Sequence, residues 1–365
     1  MRAARALYLA LSLAGSALLA GCDTVGYYYQ SVSGHLSLMA QRESIDQAID
    51  NARQAHNDKL AKRLEDARSI RIYASRELGL PDNGSYRVYA NLKRPFAVWN
   101  VFAAPELSVK LKEWCFLVVG CVTYRGYYDR NAAMAYADTL RAQGLDVDVA
   151  GIPAYSTLGY FDDPLLNTFV GLPEGELARL IFHELAHQVV YAKGDTAFNE
   201  SFATAVETIG VERWLADAAT PEIRAEYATY DARRVQFRAL LLEYRNRLEA
   251  LYASPVSDDE KRAGKRAIFA SLQADYTKLK ASWGGYTGYD RWFAQPLSNA
   301  HLGAVASYLE WVPAFTALYH RDGGDWARFY DDVKAMVRES KLQREAALRL
   351  LAPSAMGASE DIRQK

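Results

Sequence analysis

Apolar side chains recur at helical spacing between residues 27 and 78. Ile45, Ile49, Leu60, Leu64 and Ile70 stand among Ala, Gln, Arg and Asp, which predicts one or two amphipathic helices. The rhythm then changes. Tyr86 to Leu92, Phe96 to Ala103, Glu106 to Leu111 and Cys115 to Tyr124 are dense in Val, Phe, Tyr and Trp, broken by Pro, Gly and charged turns, as short β-strands are. A helical stretch from about Asn131 to Gln143 stops at Gly144, and LDVDVAG alternates as a further strand. Beyond Leu215 the pattern is helical again. Residues 222–253 and 258–281, joined by SPVSDDEK, predict a long hairpin, and WGGYTGYDRW separates it from further helices through about Leu351. The elements predict an α+β fold, a small and mostly antiparallel sheet packed on a helix pair, with a largely helical C-terminal part closing a cleft. The implied organisation is a leader at 1–21, a tether with amphipathic helices at 22–80, a core at 81–215, a helical part at 216–351 and a tail at 352–365.

One helix carries polar groups where its pattern calls for apolar ones. PEGELARLIFHELAHQVVYAK runs from Pro173 at a helix start to Gly194 just past its end. His183 and His187, four residues apart, lie one above the other on one face, and Glu184 is turned about 100° onto its shoulder. Two neutral imidazoles so spaced hold one Zn²⁺, while the neighbouring carboxylate reaches a water rather than the ion. The plain alternative is a helix with two surface histidines. It is disfavoured because Leu180, Ile181, Phe182, Leu185, Ala186, Val189 and Val190 surround the polar groups, and burying such groups unpartnered is costly. A third ligand comes from YAKGDTAFNESFATAVE. If a second helix starts near Asp195 and folds back, Glu200 returns level with the histidines at about 1.5 Å of rise per residue. Glu207 overshoots and reads as a satisfied polar residue on the same face, and Thr204 is a candidate supporting partner behind the ligands.

HELAH followed by NESFA on a second helix resembles the gluzincin arrangement of zinc peptidases, with only twelve residues between the second histidine and the glutamate. YYYQSVSGHLSLM, FAVWNVFAAPELS, YRGYY, AYSTLGYFDDPLLNT, FHELAHQ and FNESFATAVE together resemble a family of bacterial lipoproteins classed as predicted zinc aminopeptidases. The resemblance implies a zincin-like fold, one Zn²⁺ and a peptide substrate. Three protein ligands leave a position for water, and Glu184 is then the general base. A cell-wall peptide amidase and a non-catalytic zinc-stabilised scaffold are the rival readings. Around the expected cleft, Tyr155 and Ser156 are candidate lining residues, Arg125 a candidate anchor for a carboxylate, and Asp162 or Asp163 for an amine. His301 and Tyr308 could enter the cleft from a late helix. Each has an ordinary alternative: tyrosines pack at strand ends, arginines sit on solvated faces, and Asp-Asp-Pro starts turns.

The ends and the charge balance add a location. Arg2 and Arg5 precede roughly fifteen apolar or small residues, too few to span a membrane comfortably, and the run stops at Leu19-Ala20-Gly21-Cys22. That stop resembles a bacterial lipobox, implying acylation of Cys22 and a domain held on the periplasm-facing side of a membrane. The two remaining cysteines, Cys115 and Cys121, lie beyond the leader in an oxidising compartment and are read as a structural disulfide closing a small loop at Gly120, with two buried free thiols as the alternative. Loss of Arg2 and Arg5 takes 43 basic residues to 41 against 44 acidic, a net charge of −3, which gives no reason to propose nucleic acid as a partner.

Overall fold

The computed structural model describes residues 26–116, 119–154, 156–306 and 310–352. Cys22, Tyr155, Tyr308 and the tail beyond 352 therefore lie outside the described residues. The N-terminal amphipathic stretch forms three helices, α1 (26–39), α2 (Ile45–Gln54) and α3 (Asp58–Glu77). Ser44 caps α2 by accepting from the Gln47 amide, and Asn57 caps α3 by accepting from Leu60, so two polar residues place both starts.

The strands make three small sheets. β1 (Arg42–Ser44), β2 (Val88–Ala90) and β8 (Leu165–Leu166) form one, antiparallel across β1–β2 and parallel across β2–β8. The longest strands, β3 (Val98–Pro105) and β7 (Leu145–Ile152), pair antiparallel along their whole length, with β6 (Arg125–Tyr127) on the other side of β3. β4 (Trp114–Phe116) and β5 (Gly120–Val122) form a hairpin in which Cys115 faces Cys121 and is joined to it by a disulfide. Two expected strands differ from the sequence reading. The run 115–124 folds back on itself rather than extending. Residues 106–111 make no strand, because their apolar side chains go to different places: Val109 packs with the long helical hairpin and Leu111 with Phe102 and Ala300.

The remaining helices are α4 (Arg130–Ala142), α5 (Glu174–Val189), α6 (Thr196–Asp217), the hairpin α7 (Pro221–Ala253) and α8 (Asp258–Ser282), and α9 (Asp290–Phe293), α10 (Asn299–Ala306), α11 (Val312–Arg321), α12 (Trp326–Val337) and α13 (Lys341–Leu351). The architecture is α+β with small sheets. The helices that cover β3 and β7 are α4 and α10, whereas α5 has its main contacts with α6, α3 and α7. The largest core cluster draws residues from α1, α2, α3, α5 and α6, from Tyr227 of α7, and again from α11 to α13, whereas α4 packs in a separate cluster with β3, β6 and β7. The hairpin α7–α8 buries a separate cluster with Val109, Phe293 and Leu302. Among the described residues no helix is long and apolar enough to cross a membrane.

Candidate metal centre

The α5–α6 connection decides what the site residues can meet. α5 stops at Val189, short of Gly194, and Val190 is already extended. Three contacts then hold residues 190–195. The Asn199 side chain accepts from the Ala192 amide at 2.7 Å and donates to the Ala192 carbonyl at 2.9 Å. Gly194 takes a φ of +75°, which suits a residue without Cβ, and donates to the Val119 carbonyl. Asp195 caps α6 and is buried against the Arg344 guanidinium, at 2.9 and 3.1 Å. Further along, Gly210 lets α6 approach closely: a Cβ there would stand 2.8 Å from Leu78 and 3.2 Å from Phe182. Glu200 thus begins the second turn of a helix pinned at both ends of its contact with α5.

His183, His187 and Glu200 come together. His183 Nε2 stands 3.2 Å from His187 Nε2 and 3.4 Å from Glu200 Oε2, and His187 Nε2 lies 3.7 Å from the same oxygen. The three offer one nitrogen or oxygen each in a group able to hold a metal ion. Behind them, His183 Nδ1 meets Glu207 Oε2 at 2.8 Å. Glu207 is also paired with Arg179, Arg179 with Glu176, and Glu176 with Arg234 on α7. The chain of alternating charges runs from the imidazole to the hairpin. By distance the two rings differ: His183 Nδ1 has a carboxylate at ion-pair range, and His187 Nδ1 has no such neighbour among the described residues.

The charges follow from burial and these neighbours. Burial works against a proton on His183, but Glu207 and Glu200 outweigh it and push its pKa up to about 10. His187 falls to about 4, through burial and the adjacent His183 charge, despite Glu200. Glu207 is held down at about 2 against its burial by Arg179 and His183, and Glu200 is lowered against its burial by the two histidines. Glu184 goes the other way. Burial, with the negative charges of Glu200 and Asp163, pushes it up to about 7 even though His183 opposes the shift. Near neutral pH such a carboxyl both accepts and releases a proton readily. Tyr124 is raised by burial and then by Glu200 and Glu184, which keeps its hydroxyl protonated within electrostatic reach of both carboxylates.

Other expected residues fall elsewhere. Thr204 is buried one turn before Glu207, with its carbonyl accepting from Thr208, and the contact behind His183 is made by Glu207. Arg125 is stacked between the rings of Tyr27 and Tyr136, at 4.2 and 4.3 Å, in an aromatic sleeve on β6. Ser156 Oγ reaches the Glu184 carbonyl at 3.5 Å, so its loop does run along α5. Asp162 is exposed. Asp163 is buried, accepts from the Thr157 amide at 2.9 Å with Oδ2, and has no partner for Oδ1 among the described residues. Burial pushes it up to about 6. His301 is occupied by Asp148 at 3.1 Å and by Ser298, tying α10 to β7 rather than entering the metal group. The Glu176–Arg179–Glu207 chain escaped the sequence reading. Its only signal was Glu176, Arg179 and His183 at helical spacing on a largely apolar helix.

The family model described as "Putative aminopeptidase" matches residues 26–348 of the 365. No curated protein and no solved structure matches the chain. The match runs from the first turn of α1 into α13 and takes in both helices of the metal group, and the chain belongs to this putative aminopeptidase family.

Proposed function

We propose that the protein is a zinc-dependent aminopeptidase with a zincin-like helix pair, tethered to a membrane through lipid on Cys22. The observation that carries the zinc reading is the spacing of three donor atoms. A tetrahedral ion with bonds of about 2.0–2.1 Å has ligand–ligand edges of about 3.3–3.4 Å. The edges here are 3.2, 3.4 and 3.7 Å, from two imidazoles and one carboxylate. The carboxylates that raise His183 supply the negative charge a dication needs, so proton and cation compete for the pocket.

When bound, zinc polarises the scissile carbonyl and acidifies water near neutral pH. The chain's own groups do the rest. Glu184 takes a proton from the attacking water onto its carboxylate and passes it to the departing amine, a task suited to a group at about 7. Glu207 keeps the His183 ring oriented through Nδ1, leaving Nε2 facing the ligand group. Tyr124, kept neutral by burial and coupled to Glu200 and Glu184, is the candidate donor to negative charge developing on the substrate oxygen.

The test is a digest of matched peptides with free and acetylated N-termini, with and without chelator, beside metal analysis of the purified chain. The expected result is one zinc per chain and cleavage only of the free-amine peptide, lost with chelator and restored by zinc. Equal cleavage of both peptides would replace the aminopeptidase reading with an endopeptidase or cell-wall amidase. A chain that retains zinc but cuts neither would make the ion structural.

A further inference from the structure

We propose that one face of α1, together with the loop tip at Tyr160 and Phe161, rests in the interfacial layer of a lipid bilayer. The inference depends on the lipid tether at Cys22 and goes beyond it, because it states which surface the tether presents to the membrane.

Eleven large hydrophobic side chains are exposed among the described residues, and six gather here. Tyr29, Val32 and Leu36 are 74 %, 58 % and 58 % exposed, and their spacing puts them on one stripe of α1. His35 sits at the edge of that stripe, and its ring lies 4.6 Å from the ring of Phe161. Phe161 is 51 % exposed and Tyr160 73 %, so the apolar surface continues from the helix onto the loop. Arg42 donates to the Asp162 carbonyl at 3.2 Å and fastens the loop beside the helix. The other five exposed hydrophobics are on α3, α7, the α7–α8 turn and α13.

The occupant is indicated by the chain that leads into α1. Only three residues separate Cys22 from Gly26, a reach of at most about 14 Å even fully extended. An acylated Cys22 lies at the hydrocarbon boundary, and the polar layer outside it is roughly 5–8 Å deep. The first turn of α1 is therefore kept close to the headgroups. A helix with an apolar stripe lies flat in that layer, and tyrosine is favoured there because its ring is apolar and its hydroxyl wet. The same loop also lies along α5, with Ser156 against the Glu184 carbonyl and Gly159 against Gln188. Membrane contact would then be one loop away from the general base.

The test uses the full acylated chain in phosphatidylethanolamine–phosphatidylglycerol vesicles, carrying a nitroxide on Val32→Cys, Leu36→Cys or Tyr160→Cys, one at a time. Val235→Cys on α7, also an exposed position, is the reference. Collision of the label with oxygen and with a water-soluble nickel chelate is measured by electron paramagnetic resonance. The expected ratio of oxygen to nickel collisions is several-fold higher at 32, 36 and 160 than at 235. Equal ratios at all four sites would overturn the proposal. Protection from both reagents with spin–spin broadening would also overturn it, by showing a second copy on this face. A chain that does not sediment with the vesicles would overturn it through the tether, and that failure is separately visible.

Discussion

The chain builds two large helix–turn–helix pairs held together in opposite ways. In α7–α8 the inner seam is apolar, with Phe237, Leu241, Tyr244 and Leu248 facing Leu272 and Tyr276, while the inward-turned Arg234 of α7 is directed to Glu176 on α5 rather than into the seam. Its exposed ion pairs, such as Arg245–Glu249 and Lys278–Asp275, are screened by solvent and contribute little. In α5–α6 the arrangement is reversed. Apolar residues surround the pair on most sides, and His183, His187, Glu200, Glu207 and Arg179 are set inside. Buried charges of this kind are weak contributors to stability yet costly to leave half-paired. One helix pair is thus closed by apolar packing, the other around a buried polar group that includes the candidate metal ligands.

The largest expected effect comes from Glu184→Gln, which should lower turnover by up to about 10⁴-fold while zinc content is unchanged. Because burial already disfavours the Glu184 charge, the variant should fold at least as well, checked by thermal unfolding beside the peptide assay. Tyr124→Phe should lower kcat by about 10²–10³-fold with little change in metal content, since it removes one donor to developing charge. In the layer behind the ligands, Glu207→Gln should weaken zinc about 10–100-fold, read by competition with a chromophoric chelator. An unchanged affinity would reduce the charged chain to a structural staple between α5 and α7.

Two smaller effects concern stability. Asp163 is raised from 3.8 to about 6, so its ionised form is disfavoured in the folded state. Asp163→Asn and the parent should be equally stable below about pH 4. The variant should gain as pH rises through about 4 to 6, levelling at roughly 1–3 kcal/mol, measured by denaturant unfolding across that range. In the hairpin, Ser257 and Glu260 form a reciprocal cap at the start of α8. Ser257→Ala should cost about 1 kcal/mol in thermal unfolding and leave peptidase activity unchanged.

Legibility followed the same division. The hairpin was read to within a residue or two because Thr220-Pro221 and Ser257 start its helices through local contacts that a linear pattern contains. The approach of Glu200 to the histidines was legible from helical rise, although α5 ends five residues before Gly194 and the chain leaves it extended at Val190 before turning at Gly194 into α6. The roles of Glu207 and Arg125 were harder to read. Whether Glu207 meets an imidazole depends on how far α6 is rotated against α5, and Gly210, Asn199 and Asp195 of α6 settle that through Leu78 and Phe182, Ala192 and Arg344. Arg125 reads as a free cation in sequence, but Tyr27 from α1 and Tyr136 from α4 enclose it. The strand expected at 106–111 failed for a related reason. Its alternation was real, but its apolar side chains serve different clusters rather than one sheet face.

By itself the sequence determined where helices start and stop, which three side chains have the chemistry and spacing of a metal group, and which carboxyl stands beside them. These are properties of neighbours within a turn or two, set by helix period and capping. Tertiary structure alone decided which partner stands behind each ligand, which helices cover the sheet, and which apolar stripe is left uncovered. Those outcomes depend on rotations and close approaches between distant segments, where a few ångströms change a partner and no local pattern records the choice.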